Sequence, residues 1–419
     1  MRFGINTLDD VKVRGKTVLC RVDINQPIDP VTGALKDTTR VRACISTLQE
    51  LSEKGAKLVL LAHQGSDIEY KNFYTTEPHG KVLSELLGRE VKFIPDVCGP
   101  AAQEAIRSLR EGEILLLDNV RFVSEEQTLF ELKLQLTHEQ QAKTLLVRKL
   151  APLADLYICD AFAAAHRDQP SLCGFEQVLP SAMGRLFEEE FCVISGVMEN
   201  PKRPCVFVLG GAKINDAFLM MSTVLGGSIA DKVLAGGLVG ELMLWAKGQD
   251  IGKPAMDFIR KQGYDHLLET AADLLFKYPD RIVLPVDFGY VKDGVRYEAK
   301  VGELPADEMV VDIGSETAEI FHRTIMDAET VFVNGPMGIF EKTESEPGTK
   351  KVWEALGESK AYSVIGGGDS ITATNKYNMG ERVSYICTGG GALIRFLTGE
   401  ELPVVKALRH GSKLTKKIM

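Results

Sequence analysis

Residues 205–211 read CVFVLGG, five unbroken apolar positions closed by two glycines. A strand with one wet face alternates apolar and polar residues. A run without alternation belongs to a strand covered on both faces, as in a parallel sheet. The same signature recurs in both directions from this stretch. Towards the N-terminus lie TVLCRVD (17–23), KLVLLAH (57–63), EILLLDN (113–119) and DLYICD (155–160); towards the C-terminus lie KVLAGG (232–237), RIVLPVD (281–287), TVFVNG (330–335), YSVIGGG (362–368) and VSYICTGGG (383–391). Helical patterns separate them, for example over 42–54, 79–88 and 139–150. Strand–helix alternation over the whole chain predicts an α/β fold of two doubly wound parallel-sheet, Rossmann-like domains.

The division falls near 185–204, where RLFEEEFCVISGVMEN reads as a helix and PKRP breaks it before the next strand. We therefore expect one domain over 1–190, a second over 191–399, and a basic amphipathic tail over 400–419 that is either solvated or a docking helix. With 419 residues, 45% of them hydrophobic, each half can bury its own core. A net charge of −9 offers no broad basic surface, which argues against nucleic acid as a partner. Cys20, Cys44, Cys98, Cys159, Cys173, Cys192, Cys205 and Cys387 form no C-x-x-C pair and sit mostly in apolar runs, so they read as buried reduced thiols. MRFGINTLDD lacks a signal-peptide core, and no apolar run is long enough to cross a bilayer, so we expect a cytoplasmic protein with no membrane partner.

Ligands of open α/β sheets bind beyond the carboxyl ends of the strands. There the two halves differ. In the first, RVDIN, AHQG, LDNVRF and CDAFAAAHR, with Arg40 one loop on, gather Asp23, Asn25, Arg40, His63, Arg121, His166 and Arg167 at one rim. Any one of these reads alone as a surface ion pair. Three guanidiniums together suit a small ligand carrying phosphate and carboxylate. In the second half LGGAK, AGGL, NGPMG, GGGD and TGGG are turns that let backbone amides approach phosphate. Lys213 adds a mobile positive charge, and Asp369 is placed to meet a nucleotide-bound Mg²⁺. Trp245 and Trp353 sit in helical patterns and read as packing residues. The chain has no G-x-x-x-x-G-K-[ST]; Gly248–Lys253 is one residue short of it. It also has no G-x-G-x-x-G opening a strand–helix unit, which weakens the competing reading of a nicotinamide-dependent oxidoreductase.

The motifs RVDINQP, DTTRVRA, LDNVRF, DAFAAAHRDQPS, LGGAK, VNGPMGIFE, GGGDS and CTGGGA resemble, in order, those of phosphoglycerate kinases, and the LAHQG and DAFAAAHR style is similar to archaeal members. The resemblance implies a hinged two-lobe enzyme, with 3-phosphoglycerate or 1,3-bisphosphoglycerate held by the first lobe and Mg-ADP or Mg-ATP by the second. It assigns Asp23, Asn25, Arg40, His63, Ser66, Arg121 and Arg167 to the acid substrate. It assigns Lys213, Gly236, Gly237, Leu238, Asn334, Glu341, Gly366, Gly367, Gly368, Asp369 and Ser370 to the nucleotide, the 236–238 stretch lying near adenine. It also implies that the C-terminal segment packs on the first lobe. Three positions depart from the pattern: Ser66 stands where the family has Arg or Lys (with Lys71 as a substitute contact), Asp118 where Glu is usual, and Ala217 where many members carry a second Lys.

The implied reaction moves a phosphoryl group between an acyl phosphate and ADP. A carboxylate nucleophile is already ionised at neutral pH, so no general base is needed. Alignment and charge would then carry catalysis, with Arg40, Lys213 and the amide of Gly368 as the groups we expect to act. The remaining alternatives are a kinase of another phosphorylated carboxylic acid, and a degenerate member that binds nucleotide in a regulatory role. We expect a monomer or homodimer.

Overall fold

The structure is a computed structural model that describes residues 1–65, 73–126, 135–305 and 307–418. The chain divides into two compact units, Met1–Cys192 with Glu401–Met419, and Val193–Glu400.

The first unit is built on six parallel strands, β1 (Thr17–Arg21), β2 (Lys57–Leu61), β3 (Val91–Ile94), β4 (Ile114–Leu117), β5 (Leu156–Cys159) and β6 (Ser181–Met183), in the order β3-β4-β2-β1-β5-β6. β1 pairs in register with β2 (Cys20 opposite Leu60) and with β5 (Cys20 opposite Ile158). The unbroken apolar runs exist because both faces of this sheet are covered. Val18, Cys20, Leu58, Leu60, Ile114, Leu116 and Ile158 are buried together with Val41, Leu48 and Leu51 from the covering helices. Each such side chain contributes about 1.5–3 kcal/mol. The chain winds outward from β1 through β2 and returns through β5, which puts the topological switch, and the crevice that goes with it, between β1 and β5.

The helical stretch expected over 139–150 is broken into His138–Gln141 and Leu145–Leu150. Thr137 caps the first piece through a reciprocal bond with Gln140, and Thr144 Oγ1 donates to the Gln141 carbonyl at 2.7 Å. The threonines offer the backbone a local alternative to a continuous helix. The Pro403–Ile418 helix lies in the first unit: Ser412 Oγ accepts from the Asn6 amide at 2.8 Å, and a Cβ at Gly411 would collide with Ser181.

The Arg185–Glu199 helix carries the chain into the second unit, and its opening amides, those of Leu186 and Phe187, donate to Asp160. There β7 (Cys205–Leu209), β8 (Lys232–Ala235), β9 (Ile282–Val283), β13 (Thr330–Asn334), β14 (Tyr362–Gly366) and β15 (Tyr385–Ile386) form a second parallel sheet in the order β15-β14-β13-β7-β8-β9. Its switch lies between β7 and β13. Trp353 is fully buried in the core of this unit, its Nε1 donating to Thr374 Oγ1 at 2.9 Å. Trp245 is half-buried, with the Arg260 guanidinium 4.9 Å from its ring centre. The sequence reading did not anticipate a separate antiparallel sheet of β10 (Asp287–Lys292), β11 (Val295–Lys300) and β12 (Val310–Ile313), ordered β11-β10-β12. All eight cysteines are free and all but Cys192 are buried. Among the described residues no helix is long and apolar enough to cross a membrane.

Candidate active site

At the carboxyl end of β1, Arg21 is the last strand residue and is 1% exposed. Its guanidinium is held on three sides: Nε donates to Ser171 Oγ (3.0 Å), Nη1 to the Val22 carbonyl (2.7 Å) and Nη2 to His63 Nδ1 (3.0 Å). An arginine can only donate, so His63 presents a lone pair at Nδ1 and is neutral. Electrostatics agree with that assignment. Burial, and then the charges of Arg21, Arg121, Arg167 and Arg40, push the His63 imidazole well below its ordinary range. Ser171 passes the contact on to the buried Glu126, whose carboxylate accepts from its Oγ at 2.5 Å and its amide at 2.9 Å.

Around this anchor the predicted residues assemble. Asp23, two residues beyond β1, accepts from Arg40. Asn25 and the loop after β2 are stitched together, the Gly65 amide donating to Asn25 Oδ1 at 2.9 Å and Asn25 Nδ2 to the Gly65 carbonyl at 3.3 Å. Arg121 also donates to that carbonyl, and its guanidinium lies 5.8 Å from the Phe73 ring centre. Gln64 and Asn119, both buried, fix the loop: Asn119 Nδ2 donates to the Gln64 carbonyl at 2.8 Å, and Gln64 Nε2 to the Gln26 carbonyl at 2.8 Å. Asn25, Lys36, Arg40, Gly65 and Tyr74 are among the walls of a pocket of about 610 Å³. Arg167 and His166 are half-buried on the loop after β5. Ser66 and Lys71 lie outside the described residues. Asp118 holds its neighbours in place instead of facing the pocket: it accepts from the amides of Thr76 and Asn119, at the start of the Glu77–Leu87 helix.

The sequence reading missed Arg21, Gln64, Asn119 and Glu126 as parts of this site. A signal for the first existed, because a charge closing a run buried on both faces needs a partner.

In the second unit the turns after β7, β8, β13 and β14 interlock. The Gly210 amide donates to the Asn334 carbonyl (3.0 Å), Gly211 to Pro336 (2.7 Å), Gly237 to Met337 (2.9 Å), and the Gly335 amide to Ser370 Oγ (2.7 Å). A Cβ at Gly335, where φ is +96°, would strike the Gly210 carbonyl. One at Gly236 would strike Met337, and one at Gly367 Asn334. These glycines are required by loops packed backbone to backbone. Gly368 is different: a Cβ there would meet nothing within 4 Å.

The helices Ile214–Gly226, Gly237–Ala246 and Gly368–Lys376 start at this rim, and none has a side-chain cap. Two other helix starts of the same unit meet carboxylates from neighbouring strands. Asp287 accepts from the amides of Glu316 and Thr317, and Asp312 from those of Gly348 and Thr349. Uncapped amides at the rim remain available to an anion. Lys213 and Asp369 are both exposed, and among the described residues neither side chain makes a hydrogen bond or ion pair. Asn334 is buried, Gly366 is buried, Leu238 is half-buried, and Glu341 is exposed farther along the loop after β13. Ala217 is fully buried in the helix that follows Lys213. Glu241 is buried on the Gly237–Ala246 helix with Oε2 lacking a partner among the described residues, and burial pushes its carboxyl up to about 8.

Residues 8–400 match the family model described as phosphoglycerate kinase. The chain is 46% identical over 408 residues to a protein of Methanothermobacter thermautotrophicus named phosphoglycerate kinase, covering 97% of each chain. Among solved structures it is similar to phosphoglycerate kinase from Pyrococcus horikoshii, with a TM-score of 0.86 at 38% identity over 98% of this chain and 100% of that one. It is also similar to the enzyme of the same name from Coxiella burnetii, with a TM-score of 0.82 at 27% identity over 96% and 98% of the two chains.

Proposed function

The chain belongs to the phosphoglycerate kinase family, and from that premise we propose how its residues carry the family's reaction, phosphoryl transfer between 1,3-bisphosphoglycerate and ADP to give 3-phosphoglycerate and ATP. It is a phosphotransferase with a carboxyl group as acceptor, and its place is in glycolysis or gluconeogenesis. The observation that carries the assignment of the substrate end is the pocket walled by Asn25, Lys36, Arg40 and Gly65, with Arg121 donating to the Gly65 carbonyl. Cationic side chains at a pocket attract an anionic ligand, and the planar guanidinium forks suit phosphate and carboxylate. Asp23 orients Arg40, Asn25 and Gly65 shape the wall, and Arg21 serves as a buried anchor.

The nucleotide end is assigned to the turns carrying Lys213, Gly236–Leu238, Asn334 and Gly366–Ser370, with Glu341 on the adjoining loop. Support comes from the glycine turns that open three helices there and from Lys213 and Asp369, exposed and without a hydrogen bond or ion pair among the described residues. The residues fit a nucleotide-bound Mg²⁺: Asp369 offers an exposed carboxylate among uncapped amides, and that ion keeps most of its other positions for phosphate and water. When bound, Mg²⁺ would neutralise charge on the phosphates. The chain's own groups do the rest. Arg40 and Lys213 supply positive charge to the transferring group, and the Gly368 amide supplies a donor that needs no reorganisation. The acceptor carboxylate needs no base. A monomer or homodimer in the cytoplasm is the setting we assign.

A coupled assay with ATP, Mg²⁺ and 3-phosphoglycerate, run against a panel of other phosphorylated acids, tests this reading. Turnover selective for 3-phosphoglycerate is expected. Equal or faster turnover of another acid would reassign the first-unit pocket.

A further inference from the structure

We propose that His138, Asp168 and Cys173 form a site for a borderline-soft divalent cation of the Zn²⁺ type, in the first unit and separate from the residues assigned to nucleotide-bound Mg²⁺. One ligand atom from each of the three lies within 4.8 Å of the others, and His138 Nε2 is 3.4 Å from Asp168 Oδ1. Zinc bonds of about 2.0–2.3 Å in a tetrahedron put neighbouring ligand atoms about 3.3–3.6 Å apart, so the cluster needs only a small closing movement. An imidazole, a carboxylate and a sulfur make a donor set that selects Zn²⁺ or Co²⁺ over Mg²⁺ or Ca²⁺.

A second observation points the same way. Gln141 is 1% exposed, and its Nε2 donates to Asp168 Oδ1 at 2.5 Å, the outer contact that orients a ligating carboxylate. Its Oε1 is buried with no hydrogen-bond partner among the described residues, an acceptor left over beside the cluster. His138 and Asp168 are partly open to solvent, which provides an entry path, while Cys173 lies behind them. The ligand form of a cysteine is the thiolate. Binding therefore forms the sulfur–metal bond as the S–H bond breaks, with the proton released to solvent. Asp168 follows Arg167, whose carbonyl is 3.8 Å from Cys173 Sγ, so an occupied site would stiffen the backbone that carries that arginine.

The test is titration of the metal-free protein with Co²⁺. Thiolate-to-cobalt charge-transfer absorption reports sulfur ligation and is silent to cobalt held by oxygen ligands alone. We expect a saturating band at equimolar Co²⁺ that is displaced by Zn²⁺, abolished in Cys173→Ser, and at least tenfold weaker in half-saturation in His138→Gln. If Cys173→Ser fails to fold by circular dichroism, His138→Gln alone decides. Absence of the band from the folded wild type, or a wild-type titration curve in His138→Gln, overturns the proposal.

Discussion

At the carboxyl ends of its strands the first unit carries Arg21 and Arg121, each held by neighbouring groups, and Arg167. The second carries Gly210, Gly335 and Gly367, packed backbone against backbone. Both arrangements surround a topological switch in a six-stranded parallel sheet. They differ in what specifies the positive potential. On the first rim it resides in side chains that a single substitution deletes. On the second it resides largely in peptide amides, so a substitution perturbs it only by moving the backbone.

Four experiments press on this contrast. The largest effect is expected from Arg40→Ala and Lys213→Ala, each lowering kcat by roughly 10²–10³-fold with nucleotide affinity little changed. Steady-state kinetics with separate nucleotide titration would read it, and near wild-type turnover of both removes them from the mechanism. Gly335→Ala should lower stability by about 3 kcal/mol in urea unfolding, because it adds a collision to a backbone conformation that disfavours side chains. An unchanged midpoint would mean that the loops are not locked together.

The third experiment uses pH. The buried Glu241 carboxyl titrates near 8 in the folded protein and near its ordinary value of 4.5 when unfolded. Its stabilising contribution is therefore complete below pH 4.5, declines as pH rises, and is gone above about 8, with a slope approaching 1.4 kcal/mol per unit. Glu241→Gln should flatten that part of the stability profile, and parallel profiles for variant and wild type would contradict its burial as an acid. The smallest effect belongs to Gly368→Ala. With nothing within 4 Å of the added Cβ, stability should stay within about 0.5 kcal/mol, while nucleotide binding measured by calorimetry weakens. Loss of stability comparable to Gly335→Ala would erase the distinction between glycines needed by the fold and those open to a ligand.

Much of the fold was readable because a strand covered on both faces announces itself as an unbroken apolar run. CVFVL and KLVLL became β7 and β2 at the expected positions. Strands that lack such a run were passed over. VRYEAK is largely exposed and SAM is three residues long. The hairpin joining β10 to β11 had a usable marker, since Asp293 and Gly294 both take positive φ in a two-residue turn. At the site, exposed polar residues after strands were visible as a pattern, whereas Arg21 was counted with the strand and its anchoring role depends on Ser171 and His63, distant in sequence. The glycine turns were legible as a group. Which of them face a neighbouring loop and which face open space depends on register between loops, which spacing along the chain does not encode.

The membership of Pro403–Ile418 in the first unit has a consequence during synthesis. The second unit is a continuous segment and can close as soon as residue 400 clears the ribosome. The first must wait, with the Asn6 amide and the Ser181 strand uncovered, until Ser412 emerges. The part translated first is the part finished last, and a nascent chain stalled before the final helix would expose that unfinished surface to chaperones.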